Sequence, residues 1–535
     1  MIKKELQKAI LDVTDQRWPE AKIKKEDIEM SYPPEGMGDY SCNVAMKLAK
    51  ILGKKPKELG LEMIKLLAEY TRENEYIDKV EIAGAGFLNF YLKDDHFQSL
   101  IDEINRSGSN YGQLDPEKKE KVMVEFVSAN PTGPIHLGNG RGAPFGDTLA
   151  SILEKAGQEV WREYYVNDFG NQIKILGHSV LKDEKAEYRG EYIDKLNKEN
   201  KLTDAFEVGQ WAAGKILEEI IQPSMENLGI KFDEYFSEKK LYESGQVEAA
   251  IKILQEKKLV YEKDGAVWFR AMEFGDEKDR VIRKSTGELT YFGGDIAYHK
   301  NKFERGFDRV INVWGADHHG DVKRILGAAA ALGYENQLEI VLMQMVRVIK
   351  NGQEYKMSKR RGTYISVDDL IDEVGKDAVR FIFLMYSNNA HINFDIDLAK
   401  ERSEKNPVYY VQYAYARICS ILRKSQTLNS KFQTNSKSEI QNLKLLADKR
   451  ELELLKHLNK FPELIDDMAK WREVHHLPTY LIQLADKFHG FYTDCQVIDE
   501  ANPAMTLARI ELIKATKTVL AEGLRLLGVS APERM

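Results

Sequence analysis

Apolar and polar positions along this chain recur with two different periods, and the switches between them mark out its parts. The opening segment has a helical period, with Leu6, Ile10 and Val13 on one face. Strand-like runs follow, Val80-Glu81-Ile82 and then Gly86 to Leu92. Gly108 to Lys121 reads as a polar linker. Next comes Val122 to Val127, a short apolar run of the kind that forms a buried strand. A Gly/Pro-rich turn leads from it into a helix with Leu149, Ile152 and Leu153 on one face, closing near Gly157. Val160 to Val166 is again strand-like. Strand, helix and strand in such close succession make a βαβ unit, hence a parallel sheet.

Residues 182–280 are charged and mostly helical in pattern, as an insertion between two halves of the sheet would be. The second half resumes at Arg309 to Trp314, passes through a helix over Ile325, Ala328 and Leu332, and reaches a strand predicted over Leu338 to Val348. Asn351-Gly352 signals a tight turn. Beyond Asn406 the period is helical almost to the end. The expected fold is therefore multidomain α/β. A split Rossmann-like, doubly wound parallel sheet occupies 111–400, an α+β domain precedes it over 1–110, and an all-α domain follows over 401–535.

Composition changes this picture only a little. With 535 residues, 43% hydrophobic and 30% charged, the chain suits several cored domains. No apolar stretch approaches the roughly 20 residues that cross a bilayer, and no signal-peptide pattern opens it, so a cytoplasmic protein without a membrane is expected. Cys42, Cys419 and Cys495 are far apart and form no CxxC pair, so neither a disulfide framework nor a protein-held metal is expected. A net charge of −7 excludes a uniformly basic nucleic-acid binder. Locally, though, Glu401 to Arg450 holds ten Lys/Arg against four Asp/Glu, enough for a positive path to RNA phosphates.

Two segments carry candidate chemistry. The first, Asn130 to Asn139, follows the first sheet strand and opens a helix. A helix amino terminus offers N–H groups and partial positive charge to a triphosphate. Gly133 and Gly138 allow close backbone approach, and His136 can donate to a phosphate whose charge grows during substitution. The second, Lys356-Met357-Ser358-Lys359-Arg360-Arg361-Gly362, lies beyond the Asn-Gly turn and before Ser366-Val367-Asp368-Asp369, which matches a capping box. A cationic loop between a strand and a well-capped helix is placed to grip departing pyrophosphate.

His136-Leu137-Gly138-Asn139 resembles the HIGH signature of class I aminoacyl-tRNA synthetases, and Lys356 to Lys359 is an intact KMSK signature in the right order. Within that class the chain resembles the arginine enzymes. Val124 to Pro134 is similar to their extended first signature. Tyr164 to Asp168, Trp314 to Gly320, Asn406 to Ala414 and the ending Gly528 to Met535 are similar to further blocks, as are Gly38 to Ala45 and Gly86 to Asn89 near the amino end. The resemblance implies ATP-dependent ligation of L-arginine to tRNA(Arg) by a monomer, with Mg²⁺ accompanying ATP and no metal held by the protein alone.

By matching position, His136, Asn139, Lys356 and Lys359 are implied as catalytic. Gly133, Gly138, Gly315, Asp317 and Ser358 join them around ATP, Asp317 at the ribose. Glu125, Ser128, Asn130, Tyr291, Asp295 and His318, with His136, are implied at the arginine. A guanidinium, planar and always charged, is best met by carboxylates in fork geometry. Phe87 and Asn89 match positions at the tRNA elbow, and Tyr409, Gln412, Tyr413 and Arg417 at the anticodon loop, where aromatic stacking and basic contacts read single strands. The chain departs from the family at Asn139, where histidine is usual. An amide still donates a hydrogen bond but carries no charge, so altered activation kinetics are expected. A small nucleotidylyltransferase, a non-catalytic tRNA-binding paralogue and a synthetase for another amino acid remain alternatives at this point.

Overall fold

The computed structural model describes residues 1–355, 365–428 and 443–535. At the amino end, Met30–Ser31 (β1), Tyr40–Cys42 (β2), Ile77–Ala83 (β3) and Phe87–Leu92 (β4) form an antiparallel sheet in the order β1-β2-β4-β3. Helices Val44–Leu52 and Pro56–Glu73 pack on it through Leu48, Leu59, Met63 and Leu67.

The central sheet begins with Lys121–Glu125 (β5), Glu159–Val166 (β6) and Glu234–Ser237 (β7). Val260–Lys263 (β8), Ala266–Phe269 (β9) and Arg280–Arg283 (β10) make a separate antiparallel sheet. Arg309–Gly315 (β11) and Leu338–Met343 (β12) then complete the central sheet, whose order is β12-β11-β5-β6-β7 with every pairing parallel. The doubly wound expectation is met, but residues 182–280 are not simply helical. They supply the edge strand β7 and the β8–β10 sheet, whose four-residue strands are too short to show a period against charged flanks.

The strand expected over Leu338 to Val348 is in fact two. After β12 the chain leaves the central sheet, and Val346–Lys350 (β13) joins Gln353–Glu354 (β14) and Ile392–Asp395 (β15) in a second sheet, ordered β14-β13-β15. Asn351 and Gly352, at φ 52° and 70°, make the predicted tight turn between β13 and β14. From Pro407 on, the described residues are helical, with long helices Pro407–Leu428, His476–Asp494 and Pro503–Leu526 packed together.

One buried cation ties three parts of the chain. Arg380, fully buried in helix Lys376–Leu384, donates to the Leu527 carbonyl at 2.6 Å, the Leu228 carbonyl at 3.0 Å and Asp147 Oδ2 at 2.6 Å. It thereby joins the carboxyl-terminal helix, the insertion and the helix after β5. Removing the fork leaves Asp147 to Arg162 alone among the described residues, at 3.3 Å, and takes a charged donor from two carbonyls. Arg380→Ala should therefore destabilise the protein by on the order of 3 kcal/mol, read as a clearly lowered melting temperature; an unchanged melt contradicts this role.

Candidate active site

In the central sheet the chain runs outward from β5 to β6 and β7, then crosses back to β11 and β12 on the other side. The carboxyl ends of β5 and β11 flank this reversal, the crevice where open α/β sheets hold ligands. Glu125 ends β5 there, in register with Asn312 of β11.

The sequence run suggested that β5 continues to Val127, but the backbone turns first. Val127 and Ser128 lie at φ 68° and 42°, and the Ser128 N–H donates to the Phe126 carbonyl at 3.0 Å. Positive φ at a β-branched residue is strained, and such strain persists where the surroundings enforce it. Here it swings Ser128 back over the strand end. The Ser128 hydroxyl donates to Glu125 Oε1 at 2.8 Å and accepts from the Tyr165 N–H at 3.1 Å.

Glu125 is buried, and its second carboxylate oxygen accepts from Lys302, itself fully buried. Lys302 also donates to Asn312 Oδ1 at 2.8 Å and lies 4.2 Å over the Tyr298 ring. The Asn312 amide donates to His299 Nε2 at 2.8 Å, while His299 Nδ1 meets the Asp295 carbonyl at 2.7 Å. Burial holds His299 down to about 3, so the ring is neutral, with Nδ1 donating and Nε2 accepting. Glu125 is thus balanced from within the fold.

Two other carboxylates form no ion pair among the described residues. Asp295 and Tyr291 sit on helix Tyr291–Glu304, capped by Thr290. Burial pushes Asp295 up to about 7, against the opposing influence of Arg324, which is itself engaged with Asp321 at 2.7 Å. Glu238 follows β7 and was not expected from the sequence, because a lone glutamate before Lys239-Lys240 looks like a solvated helix start. It is buried, and burial followed by repulsion from Asp295 pushes it up to about 8. Asn167, its amide turned to satisfy both ends, donates to Glu238 Oε2 at 2.7 Å. Asp168 accepts from the Ser237 hydroxyl at 2.5 Å and the Lys239 N–H at 2.9 Å, fixing the backbone on which Glu238 rides. Gly294 makes the approach possible: a Cβ there would stand 3.1 Å from Glu238 Oε1 and 2.9 Å from the Tyr242 hydroxyl. Tyr291, 53% exposed, forms the outer wall beside Gly170.

Across the crevice, His136 caps helix Leu137–Lys155, its Nδ1 accepting from the Gly138 N–H at 3.0 Å. Burial lowers its pKa, so the neutral ring carries its proton on Nε2. Asn139 is exposed in the first turn. His136 also forms a backbone bridge with Ser366, and the Val367 N–H donates to the Ile135 carbonyl at 3.0 Å. Ser366 caps helix Val367–Val374 in the predicted box with Asp369. A Cβ on Gly140 would fall 2.0 Å from Val367 Cγ2, so the two helices meet this closely only over glycine. Gly133 is buried before the helix, and Asn130 accepts the Thr132 N–H on its carbonyl at 2.7 Å. Gly315 ends β11 with the exposed Asp317 carboxylate folded over it, and His318, also exposed, meets Asp321 at 3.3 Å. Lys356, Ser358 and Lys359 lie outside the described residues.

Two of the six residues implied for tRNA are buried and hydrogen-bonded within the protein. Asn89, 3% exposed, accepts from Ser41 inside the amino-terminal sheet, whereas Phe87 is 37% exposed. Gln412 is 8% exposed and donates to Asp377 and the Ser530 carbonyl, both at 2.9 Å, joining helices and not facing out. Strand and helix periods put these amides inward. Tyr409, Tyr413 and Arg417 do line up: the tyrosine rings are stacked at 6.2 Å and Arg417 donates to the Tyr413 hydroxyl at 2.7 Å. His489 and Tyr492 extend the row, with Arg417 4.4 Å over the Tyr492 ring.

Family models match nearly the whole length. The arginyl tRNA synthetase N terminal domain matches residues 1–92, the class I (R) tRNA synthetase catalytic domain 101–198 and 182–404, and the DALR anticodon binding domain 411–535. The arginine–tRNA ligase of Carboxydothermus hydrogenoformans is 47% identical over 95% of this chain and 94% of its own. The chain belongs to the arginyl-tRNA synthetases. The arginine–tRNA ligase of Bacillus licheniformis is 43% identical over 98% of this chain and 99% of its own. The arginyl-tRNA synthetase of Thermus thermophilus shares the fold, with a TM-score of 0.78 at 23% identity over 100% of both chains.

The raised carboxyls give this synthetase a pH signature when ligand-free. A carboxyl with a higher pKa in the folded chain favours the fold most below its ordinary value near 4.5. That advantage is lost as pH climbs through the folded value, about 8 for Glu238. The melting temperature should therefore fall from pH 5.5 towards 8.5 by this contribution, and Glu238→Gln should flatten the fall. Parallel melting curves for variant and wild type across that range would rule it out.

Proposed function

We propose that the chain joins L-arginine to tRNA(Arg) using ATP, through an arginyl-adenylate. The observation that carries this reading is the pair Asp295, half-buried, and Glu238, buried, two interacting carboxyls at the sheet reversal that form no ion pair among the described residues. A guanidinium supplies the missing charge and offers a planar fork to both. Tyr291 covers it from outside. At the other end, Asn130, Ser128 and Glu125 meet the α-ammonium, with His318 beside the substrate.

ATP, entering with Mg²⁺, lays its triphosphate on the amino terminus of helix Leu137–Lys155. Gly133 and Gly138 let the backbone approach, His136 Nε2–H and Asn139 donate to the α-phosphate, and Gly315 and Asp317 hold the ribose side. The arginine carboxylate attacks the α-phosphorus and pyrophosphate leaves, drawn by Lys356, Ser358 and Lys359. The terminal ribose hydroxyl of the tRNA then attacks the activated carbonyl, and AMP leaves. No side chain acts as nucleophile, so the rate comes from positioning and charge stabilisation. Phe87 meets the tRNA elbow, and the Tyr409, Tyr413 and Arg417 row, extended by His489 and Tyr492, stacks anticodon bases. The enzyme works as a cytoplasmic monomer.

Aminoacylation of total tRNA with each amino acid in turn tests the reaction; charging only with arginine is expected, and charging with another amino acid instead refutes it. Asp295→Asn and Glu238→Gln should each weaken arginine binding by roughly 30-fold or more, measured by calorimetry with tRNA and an inert ATP analogue. Glu125→Gln should behave differently. It strands buried Lys302 without a counter-charge and so lowers the melting temperature as well. Wild-type arginine affinity in both Asp295→Asn and Glu238→Gln sinks the assignment of the pocket.

A further inference from the structure

Arg141 is fully buried, yet no carboxylate among the described residues pairs with it. Its guanidinium lies in helix Leu137–Lys155, little more than one turn beyond His136. One terminal nitrogen donates to the Gln344 and Ala390 carbonyls, both at 2.7 Å, and the other to the Ser387 carbonyl at 2.8 Å. Nε has no partner among the described residues. Such a cation is costly: neutral carbonyls compensate it only partly, and an apolar side chain of similar volume would stabilise the fold better. Its place in the fold explains what it does instead.

Gln344 lies in the short link between β12 and β13, and Ser387 and Ala390 lie in the link that enters β15. β13 and β15 are paired in parallel from Val346 and Ile392 onward, so both links meet at one edge of the second sheet. Backbone bonds from Gln344 N–H to the Asn388 carbonyl at 2.9 Å and from Ile392 N–H to the Met345 carbonyl at 3.2 Å close this junction. From it, β13 runs through the Asn351-Gly352 turn into β14, and the chain continues directly to Lys356. On the far side, Ser366 and Val367 return to Ile135 and His136. Backbone bonds from Ser366 and Val367, and the Arg141 fork at Gln344, Ser387 and Ala390, thus tie these parts of the chain to the helix that His136 opens.

We infer that Arg141 is a positioning residue for adenylate formation, clamping the base of the β13–β14 hairpin, which leads in sequence into the second signature, against the helix that His136 opens. This rests on the reading of Lys359 as a pyrophosphate-side donor. The planar fork is what the three carbonyls require; a lysine ammonium keeps the charge but not the geometry.

The test is ATP–pyrophosphate exchange by the full-length enzyme with tRNA present, for R141K, K359A and the double variant. R141K should lower kcat roughly ten-fold or more while the arginine KM changes less than about two-fold. In the K359A background the further loss should shrink to about two-fold, since both changes disable one device. Asn388→Ala, which removes an amide bond to the Leu342 carbonyl at the same junction, should show a smaller kcat-selective loss and serves if R141K folds poorly. Wild-type kcat in both R141K and Asn388→Ala, or losses that multiply fully in the double variant, overturns the proposal. Undiminished exchange by K359A alone overturns the reading of the second signature, and with it the route assigned to Arg141.

Discussion

The site is organised by the need to balance charge that has been taken out of water. Three carboxyls converge behind the sheet reversal, Glu125, Asp295 and Glu238, and the fold supplies a fully buried cation, Lys302, to one of them. An isolated buried carboxylate is costly, so burial pushes the remaining two up, Asp295 to about 7 and Glu238 to about 8. Selectivity follows from the same arithmetic. A ligand with a delocalised positive fork relieves both carboxyls at once, while a neutral side chain of similar size leaves them as they were.

That electrostatic arrangement depends on backbone features that bring the groups together at little separation. The strained turn at Val127 and Ser128 returns a hydroxyl to Glu125, and Gly294 lets one helix press against Glu238. Gly140 lets the capped helix Val367–Val374 rest on the helix that His136 opens. The Tyr409–Tyr413 row on helix Pro407–Leu428 connects to the same body, because Gln412 on that helix holds Asp377 and Ser530, and Arg380 joins the neighbouring elements. This row and the crevice are therefore parts of one hydrogen-bonded frame.

Much of this was legible in the residues. The short apolar run before Asn130, the Asn-Gly turn and the Ser366–Asp369 box each specify a local structure by themselves, and each is found. What could not be read depends on side chains meeting from distant parts of the chain. Glu238 looks like a surface helix start until the sheet places it beside Asp295. Lys302 looks like an exposed lysine on a polar helix face, yet it is the counter-ion of Glu125. Arg141 follows the first signature closely enough to look like part of a phosphate grip, but its donors face carbonyls 203 to 249 residues downstream. The inward hydrogen bonds of Asn89 and Gln412 were likewise not legible, because their partners Ser41 and Asp377 come from other parts of the chain.

The central claim, that a cation-deficient carboxyl pair receives the arginine side chain, is tested most directly by counting protons. Arginine binding, with tRNA and an inert ATP analogue present, is measured calorimetrically between pH 6 and 8 in buffers of different ionisation enthalpy. With Asp295 near 7 and Glu238 near 8 before binding, the guanidinium should displace protons, and affinity should tighten as pH rises. L-citrulline, alike in shape but uncharged, should bind far more weakly and release none. Arginine binding with no proton release and an affinity independent of pH would contradict the account.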